Sequence, residues 1–548
     1  MEMPGNPPFG GKKRILILGA GVMQGPALRI AREMGLETIA ADADPNALCA
    51  SLADRFEQVD LKDREGIEAL ARSLIESGGL GGIMTAGTDF SATVAWAAEK
   101  LALPGISYKI ALDASDKERM RKRFKAAGVP SPEFIITNGP FEDSFTLPFS
   151  WPVVVKPVDS MGSRGCRRVD NFPELKAAVS EALGFSRSGR AIVEEYMDGP
   201  EFSVDALVYQ GEITICGIAD RHIFFPPFFI EMGHTMPSVM EKAVIRSLLE
   251  TFSQGVKALG IENGAAKGDI KLTARGPMIG EIAARLSGGF MSGWTYPYSS
   301  GVLPTRGAIE IALGEKPSRT KAEWNWTCAE RAFISIPGKV FSIEGIEKAK
   351  AAPWVKDVFC RVEPGSVVVF PENNVTKCGN ILSVAPDRED AVHSADNTAR
   401  SILIRLETPN ETTDTFLKRG PSSPGGKFPP DAFALDPRLL YLLEALPCDT
   451  WIAEAAGNDA GPSLVPFPEF TESGLLDIVG RGVEESLKAV RALTGLKLPV
   501  AAEKPTGNST PGEISIPFLG RSFWQALIRG GYQGAVYYID SLGNRNRI

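Results

Sequence analysis

The sequence predicts a multidomain protein of mixed α/β and α+β class that begins with a Rossmann-like domain. Its 548 residues suffice for about three or four domains, and 44% hydrophobic with 23% charged residues is ordinary for a folded chain. Roughly the first 110 residues alternate apolar strands with helices, which is the pattern of a doubly wound parallel sheet. Later strands of alternating polarity meet at glycine-containing turns, which indicates antiparallel hairpins.

The charge and composition exclude several classes of function. A net charge of −8 argues against a nucleic-acid-binding surface, so we expect small-molecule partners and no nucleic acid. The first residues lack the apolar core of a signal peptide, and no apolar run reaches about 18 residues, so we expect no membrane association and a cytoplasmic location. Seven dispersed cysteines and three histidines argue against a disulfide framework and against a Cys- or His-rich metal centre. Homo-oligomerisation stays open.

The first 110 residues supply the elements of the Rossmann-like domain. RILILGAG at 14–21 is a buried strand that ends in a glycine turn. The elements expected after it are strand 36–44, helix 64–77, strand 81–87, helix 89–101 and a short strand LPGIS. Gly19, Gly21 and Gly25 come close to the dinucleotide fingerprint, but their spacing differs from it and such a turn needs glycine for close packing in any case. NAD binding is therefore the less favoured interpretation.

The stretch WPVVVKPVDSMGSRGCRRV, at 151–169, has the properties of a phosphate-binding loop between two strands. Its valines predict a rigid buried strand, and Lys156 at the end of that strand projects a positive charge. The loop after it is small and polar, so its backbone amides can close over phosphate oxygens. Its candidate ligand residues are Ser160, Gly162, Ser163 and Gly165. Here the lysine precedes the glycines, which departs from the Walker pattern, and a basic hairpin turn is the alternative.

Two other stretches offer further nucleotide contacts. Lys117 lies in the first turn of a predicted helix, where a cation gains nothing from the helix dipole, and this favours a ligand role over a structural one. On that feature alone, a solvated lysine is the favoured alternative. Glu194, Glu195 and Met197 end a predicted strand and suit a hinge whose backbone groups face a flat base. Glu201 follows, placed to accept from a ribose hydroxyl. An edge strand with exposed carboxylates is the alternative.

The segment 264–289 predicts an antiparallel hairpin that brings two carboxylates to one face. Asp269 and Lys271 share a face of its first strand, and Glu281 lies on the returning strand. Facing carboxylates repel unless a cation lies between them, and Mg²⁺ prefers carboxylate and phosphate oxygens, with Mn²⁺ as the alternative metal. We therefore assign Asp269 and Glu281 to a metal and Lys271 to the nucleotide. Arg285 supplies a bidentate donor for an oxyanion or a substrate carboxylate.

In this order, the lysine helix, the lysine–glycine loop, the acidic hinge and the Asp…Glu…Arg hairpin resemble the ATP-grasp superfamily, over about residues 14–408. The first domain is then similar to the domain that precedes the ATP-grasp fold in biotin carboxylase. The resemblance implies ATP and Mg²⁺ as cofactors. By position it implies phosphate contacts for Lys117 and Lys156, adenine contacts for Glu194, Glu195 and Met197, a ribose contact for Glu201, and metal contacts for Asp269 and Glu281. Ala283 departs from the pattern, since the superfamily often has asparagine there.

FPPFFIEMGHTMPS at 225–238 and RLSGGFMSGWTYPYSSG at 285–301 resemble the carboxylate–amine ligase branch, which includes bacterial L-amino acid ligases. The resemblance implies that Glu231 and His234 line the acceptor pocket with Arg285 and act in catalysis together with Lys156. A loop histidine without function is the alternative for His234. The implied reaction joins a carboxylic acid, an amino acid or another small acid, to an amine through an acyl phosphate, releasing ADP and phosphate.

Three rival functions stay open. A carboxylase or formyl-phosphate enzyme would use the same ATP site on a one-carbon acid. A dehydrogenase would bind NAD on the first domain, and a non-catalytic regulator would bind ATP without releasing ADP.

We expect five regions: a Rossmann-like domain at 1–112, an ATP-grasp domain at 113–327, a small β-rich domain at 328–408, a Pro/Gly/Ser-rich linker at 409–436, and an extra α/β module at 437–548. The last module alternates apolar segments and shows no recognisable chemistry. Within it, the polar run Thr506–Thr510 indicates a solvated loop rather than an active-site loop.

Overall fold

The computed structural model describes residues 13–423, 428–450, 462–504 and 517–545. These residues fall into two compact units. One unit comprises 13–331, 353–356 and 382–395, and the other comprises the remaining described residues. The predicted loop at Thr506–Thr510 lies outside the described residues, as does most of 449–454, one of the apolar segments expected in the last module. Within the described part of the chain, no helix is long and apolar enough to cross a membrane.

The first unit begins with a four-stranded parallel sheet, as the alternation of strands and helices predicts. In sheet order the strands are Arg55–Gln58, Glu37–Asp42, Arg14–Leu18 and Gly82–Thr85. The helices of this part are Gly25–Glu33, Arg64–Glu76, Ser91–Lys100 and Tyr108–Ser115. The predicted strand LPGIS is wrong: the segment bends without forming a strand, and Ser107 accepts a hydrogen bond from the amide of Ile110 as the cap of the next helix.

A second sheet, antiparallel and four-stranded, carries the predicted phosphate loop. Its strands, in sheet order, are Phe134–Thr137, Ala191–Glu195, Val153–Pro157 and Arg167–Val169. Helix Phe172–Phe185 buries its apolar face on this sheet, and helix Lys117–Ala127 runs from an Asp116 cap to Gly128, which adopts φ +67°. The valines at 153 and 155 are fully buried, so the strand before the loop is anchored in a core.

The largest sheet of the first unit places the carboxylates. Its antiparallel strands, in order, are Gly276–Ala283, Gly264–Thr273, Glu201–Tyr209, Glu212–Phe224, Ile230–Met236 and Thr327–Phe333. Helix Lys242–Leu259 covers one face through an apolar cluster that includes Phe252 and Val256. Helices Tyr296–Ser300 and Pro304–Ala312 follow the hairpin, after a π-helical turn at Met291–Thr295.

The region predicted as a small β-rich domain is divided between the two units. Beyond strand Thr327–Phe333 it holds strands Gly338–Glu344, Val355–Cys360, Val367–Val368, Gly379–Ala385 and Leu403–Leu406, with helices Ile346–Lys350 and Arg388–Ser401. In the second unit, Gly338–Glu344 is the centre of a three-stranded sheet between Val367–Val368 and Leu403–Leu406.

Residues 409–436 are not a bare linker. Helix Glu411–Lys418 begins at Asn410, whose side chain accepts from the amide of Thr413, and Phe416 and Leu417 are buried. Phe433 and Leu435 are fully buried in the core of the second unit. The Pro/Gly/Ser composition of the segment predicted a linker, but burial of these few apolar side chains stabilises an ordered conformation.

The described part of the last region is mainly helical rather than an even alternation of strands and helices. Its helices are Pro437–Glu444, Pro468–Thr471, Val483–Thr494 and Arg521–Arg545, and its strands are the short parallel pair Ser463–Leu464 and Phe518–Leu519. Phe523, Trp524, Leu527 and Ile528 are all fully buried. Their spacing puts them on one face of a helix, which explains why this apolar segment does not form a strand.

Candidate active site

Lys156, the last residue but one of strand Val153–Pro157, lies beside a buried carboxylate. Its Nζ lies 2.7 Å from Oε2 of Glu194, while Oε1 of Glu194 accepts from Nε of Arg121 at 2.8 Å. Burial alone would raise the pKa of Glu194, but Arg121 and Lys156 outweigh it and hold that pKa below its usual value. The carboxylate of Glu194 therefore positions Lys156, a role that we did not predict from the sequence. The adenine contact assigned to Glu194 stays a prediction, and it would be made by the backbone of the hinge. Arg121 also donates to the carbonyl of Gly280, directly before Glu281.

The loop after Lys156 has the backbone that its glycines predict. Gly162, Ser163 and Gly165 adopt φ of 69°, 60° and 64°, so the loop turns through left-handed conformations. Nζ of Lys117 donates to the carbonyl of Ser160 at 2.8 Å, which joins the start of the lysine helix to this loop. The two lysines assigned to phosphate thus lie in the same unit as this loop.

The two carboxylates assigned to a metal are direct cross-strand partners. Asp269 pairs with Glu281 in the hairpin register, and Oε2 of Glu281 lies 3.6 Å from Nζ of Lys117. Burial would raise the pKa of Glu281, but Lys117 and Lys156 hold it below its usual value. Burial acts in the same way on Asp269, where Arg221 and Lys267 outweigh it and lower the pKa. Both side chains are therefore carboxylates at neutral pH.

This donor set fits a hard divalent cation that is shared with a nucleotide. Ionised carboxylate oxygens are ligands that Mg²⁺ accepts, and Mg²⁺ commonly takes one or two carboxylates together with phosphates and water. Among the described residues no cluster of three or more His, Cys, Asp or Glu side chains is suited to hold a metal alone. Asp269 and Glu281 would hold the ion, and phosphate oxygens would complete its coordination.

The residues assigned to the base and ribose surround the same hairpin. Nζ of Lys271 donates to the carbonyl of Met197 at 3.2 Å and lies 3.4 Å from Oε2 of Glu201. Glu195 forms an ion pair of 2.6 Å with Arg275. Lys271 therefore contacts both the hinge carbonyl of Met197 and Glu201, the candidate ribose ligand. From the sequence we could say only that Lys271 shares a strand face with Asp269.

His234 is buried between two carboxylates. Its Nδ1 lies 2.8 Å from Oε2 of Glu330, and its Nε2 lies 3.6 Å from Oε2 of Glu231. The side chain is 2% exposed, so its ring is held by packing and by Glu330. Glu330 is a residue that sequence reasoning missed, because only the pairing of strands Ile230–Met236 and Thr327–Phe333 brings it opposite His234.

Arg285 lies against the phosphate loop. Its Nη2 is 3.9 Å from Sδ of Met161, and its Nη1 donates to the carbonyl of Leu286 at 2.9 Å. Among the described residues, its buried Nε has no hydrogen-bond partner. Nearby, Asp205 accepts a hydrogen bond from Ser287, and burial raises the pKa of Asp205 to about 6. Asp205 was also missed by the sequence interpretation, since it reads as an ordinary residue of a strand.

Comparisons with known proteins define the class. Residues 149–293 match the ATP-grasp domain family, and residues 332–407 match the L-amino acid ligase C-terminal domain 2 family. The chain therefore carries an ATP-grasp domain followed by a domain of the L-amino acid ligases, and its class is that of the ATP-grasp ligases.

Particular relatives are similar over parts of the chain. The uncharacterized protein y4rH of Sinorhizobium fredii is 26% identical over 367 residues, which is 66% of this chain and 76% of that protein. Carnosine synthase 1 of Gallus gallus is 24% identical over 334 residues, 56% of this chain and 36% of the synthase. Alanine–anticapsin ligase of Bacillus subtilis is 27% identical over 223 residues, 36% of this chain and 47% of the ligase. The chain thus spans less than half the length of these two named enzymes.

Solved structures show the same fold. The L-amino acid ligase from Bacillus licheniformis superposes with a TM-score of 0.64 at 23% identity, covering 72% of this chain and 99% of that one. The predictions of the ATP-grasp superfamily, of the multidomain α/β fold and of the ATP-grasp ligase class are confirmed. The domain boundaries and the roles of single residues stay predictions.

Proposed function

We propose that this protein joins a carboxylic acid to an amine at the expense of ATP, through an acyl phosphate. The observation that carries the proposal is the position of Arg285, which contacts Met161 of the phosphate loop. A guanidinium there can meet the substrate carboxylate where the γ-phosphate would lie. The match of residues 332–407 to an L-amino acid ligase domain supports the acid–amine branch over one-carbon chemistry.

In the first step a carboxylate oxygen attacks the γ-phosphorus, and the bond from that phosphorus to the β–γ bridging oxygen breaks to release ADP. Lys117, Lys156 and the backbone of the loop stabilise the charge that builds on the transferring group. Magnesium held by Asp269 and Glu281 would supply further neutralisation of the phosphates.

In the second step the amine nitrogen attacks the acyl carbon, and phosphate leaves. Arg285 stabilises the tetrahedral oxyanion, and the pair of Glu231 and His234 takes the proton that the amine loses. Glu330 orients the imidazole through Nδ1, which leaves Nε2 on the side of Glu231.

We propose an amino acid as one of the two substrates. Alanine–anticapsin ligase and the L-amino acid ligase, by their names, act on amino acids, and both are similar to this chain. The likeness covers only part of each named curated enzyme, so the second substrate is to be found by experiment.

A screen of ADP release over paired amino acids, small acids and amines tests the proposal, with hydroxylamine added to trap an acyl phosphate as a hydroxamate. Lys156→Met and Glu281→Gln serve as inactive controls whose folding is checked by circular dichroism. ADP release that needs both an acid and an amine, with a hydroxamate in the trap, supports ligation. Release with bicarbonate or formate alone would indicate one-carbon activation, and nucleotide binding without ADP release for any pair would indicate a regulator.

A further inference from the structure

Arg221 lies where three differently assigned carboxylates meet. Its strand neighbours place it directly opposite Glu201 on one side and His234 on the other. Glu201 in turn is opposite Lys271. Directly opposed residues of neighbouring strands share one face of a sheet, so this row runs across the face from the predicted ribose site to the predicted acceptor pocket.

The guanidinium of Arg221 contacts all three acids. Its Nε and Nη2 each lie 2.8 Å from Oε2 of Glu231, and its Nη1 lies 3.2 Å from Oδ2 of Asp269 and also pairs with Glu201. The side chain is 12% exposed. Lysine could not make these contacts at once, because its three donors share one nitrogen, whereas the planar fork of arginine spreads five donors over three nitrogens.

The charges of this group balance without a metal ion. Glu201, Glu231 and Asp269 carry three negative charges, and Arg221 with its flanking Lys267 and Lys271 carries three positive ones. That balance lets three carboxylates lie close together in a largely buried place. It also means that a cation arriving at Asp269 competes with Arg221 for the same oxygen.

We infer that Arg221 is a positioning residue that couples the metal site to the acid–amine site, an inference that rests on the proposed function. When a divalent cation takes up the charge of Asp269, the guanidinium is attracted mainly to Glu201 and Glu231. Glu231 is then held more firmly beside His234, so the acceptor pocket is set when metal and nucleotide are present. The nucleotide site and the acceptor pocket are thereby filled in a preferred order.

The test compares Arg221→Gln and Arg221→Lys in the full chain with wild type. Mn²⁺ is titrated into the nucleotide-free protein and free Mn²⁺ is followed by electron paramagnetic resonance. Arg221→Gln removes one positive charge from a balanced group, so we expect about tenfold tighter Mn²⁺ binding. Arg221→Lys keeps the charge, so its Mn²⁺ affinity should stay within about twofold of wild type. Arg246→Gln, an exposed arginine on helix Lys242–Leu259, is the matched control and should change nothing.

The second readout uses an acid–amine pair found by the ADP-release screen. Arg221→Lys loses the forked contact with Glu231, so we expect the KM for the substrate at this pocket to rise about tenfold. Equal or weaker Mn²⁺ binding in a folded Arg221→Gln protein would overturn the inference, as would an unchanged substrate KM in Arg221→Lys. The Mn²⁺ titration needs no turnover, so a failure of the ligase proposal itself would appear separately, as an empty screen.

Discussion

Replacing Glu194 by glutamine should destabilise the first unit. The change is isosteric, but it leaves the Arg121 guanidinium and the Lys156 ammonium facing a neutral group, where contacts of 2.8 Å and 2.7 Å had paired them with one carboxylate. Arg121 is fully buried and Glu194 is 2% exposed, so water cannot replace the lost partner.

The magnitude follows from two opposing effects. Opposite unit charges about 4 Å apart attract by ~4 kcal/mol at an effective dielectric of about 20, and Glu194 serves two cations. Against this, glutamine avoids the desolvation cost of a buried carboxylate. Breaking a buried pair by removing one partner costs about 3–5 kcal/mol on balance, and we expect that loss here. With an unfolding entropy of about 2.1 cal/mol/K per residue, a unit of this size should lose about 4–7 °C of its thermal midpoint.

Thermal unfolding of the full chain, with and without MgADP, measures the effect. Glu212→Gln is the matched control, because Glu212 forms an ion pair of 4.0 Å with Lys316 in which both side chains are more than 70% exposed; its midpoint should not move measurably. Adding Arg121→Met to Glu194→Gln should recover part of the loss, since it removes one of the two unpaired cations. An unchanged midpoint for Glu194→Gln would refute the reasoning about this buried group.

Three further predictions concern other charges. Glu281→Gln should lower kcat by about 10²–10³ without changing the thermal midpoint, as measured by ADP release; a near-normal rate would contradict its role. Because the pKa of Asp205 is raised to about 6, its protonated form stabilises the fold; that contribution is complete below its ordinary pKa, near 3.8, and is lost as pH rises through 6. Asp205→Asn, which still accepts from Ser287, should therefore gain up to ~3 kcal/mol over wild type at pH 8 and nothing near pH 3.5, followed by thermal unfolding across pH. Asp431→Asn should cost the second unit about 3 kcal/mol, because it leaves the fully buried Arg529 without its carboxylate; a midpoint equal to wild type would show that backbone carbonyls suffice.

Much of the candidate site could be predicted from local sequence. The valines before Lys156, the small loop after it and the alternation around Asp269 each specify a strand or turn within a few residues. The prediction that Glu281 faces Asp269 depended only on the length of one hairpin, and the structure pairs the two residues in register. These residues were found because hairpins and strand ends place side chains by rules that act over short distances.

The linker and the last region show where local reasoning fails. Residues 409–436 have the composition of a linker, yet Phe416 and Phe433 are buried, because a few apolar anchors decide whether a segment packs. In the last region an apolar run such as the one around Trp524 is compatible with either a strand or a helix. Its packing in the core of the second unit selected the helix.

By itself the sequence determined the order of the chemical groups: two lysines, a loop between strands, a hinge, and a hairpin with paired carboxylates. Only the tertiary structure decided which side chains pair with the charged residues of these segments. Arg121 meets Glu194 across 73 positions and His234 meets Glu330 across 96, in contacts that depend on strand order and register rather than on any local pattern. Burial then makes those contacts matter, because a charge removed from water is tolerated only beside a partner that the fold brings to it.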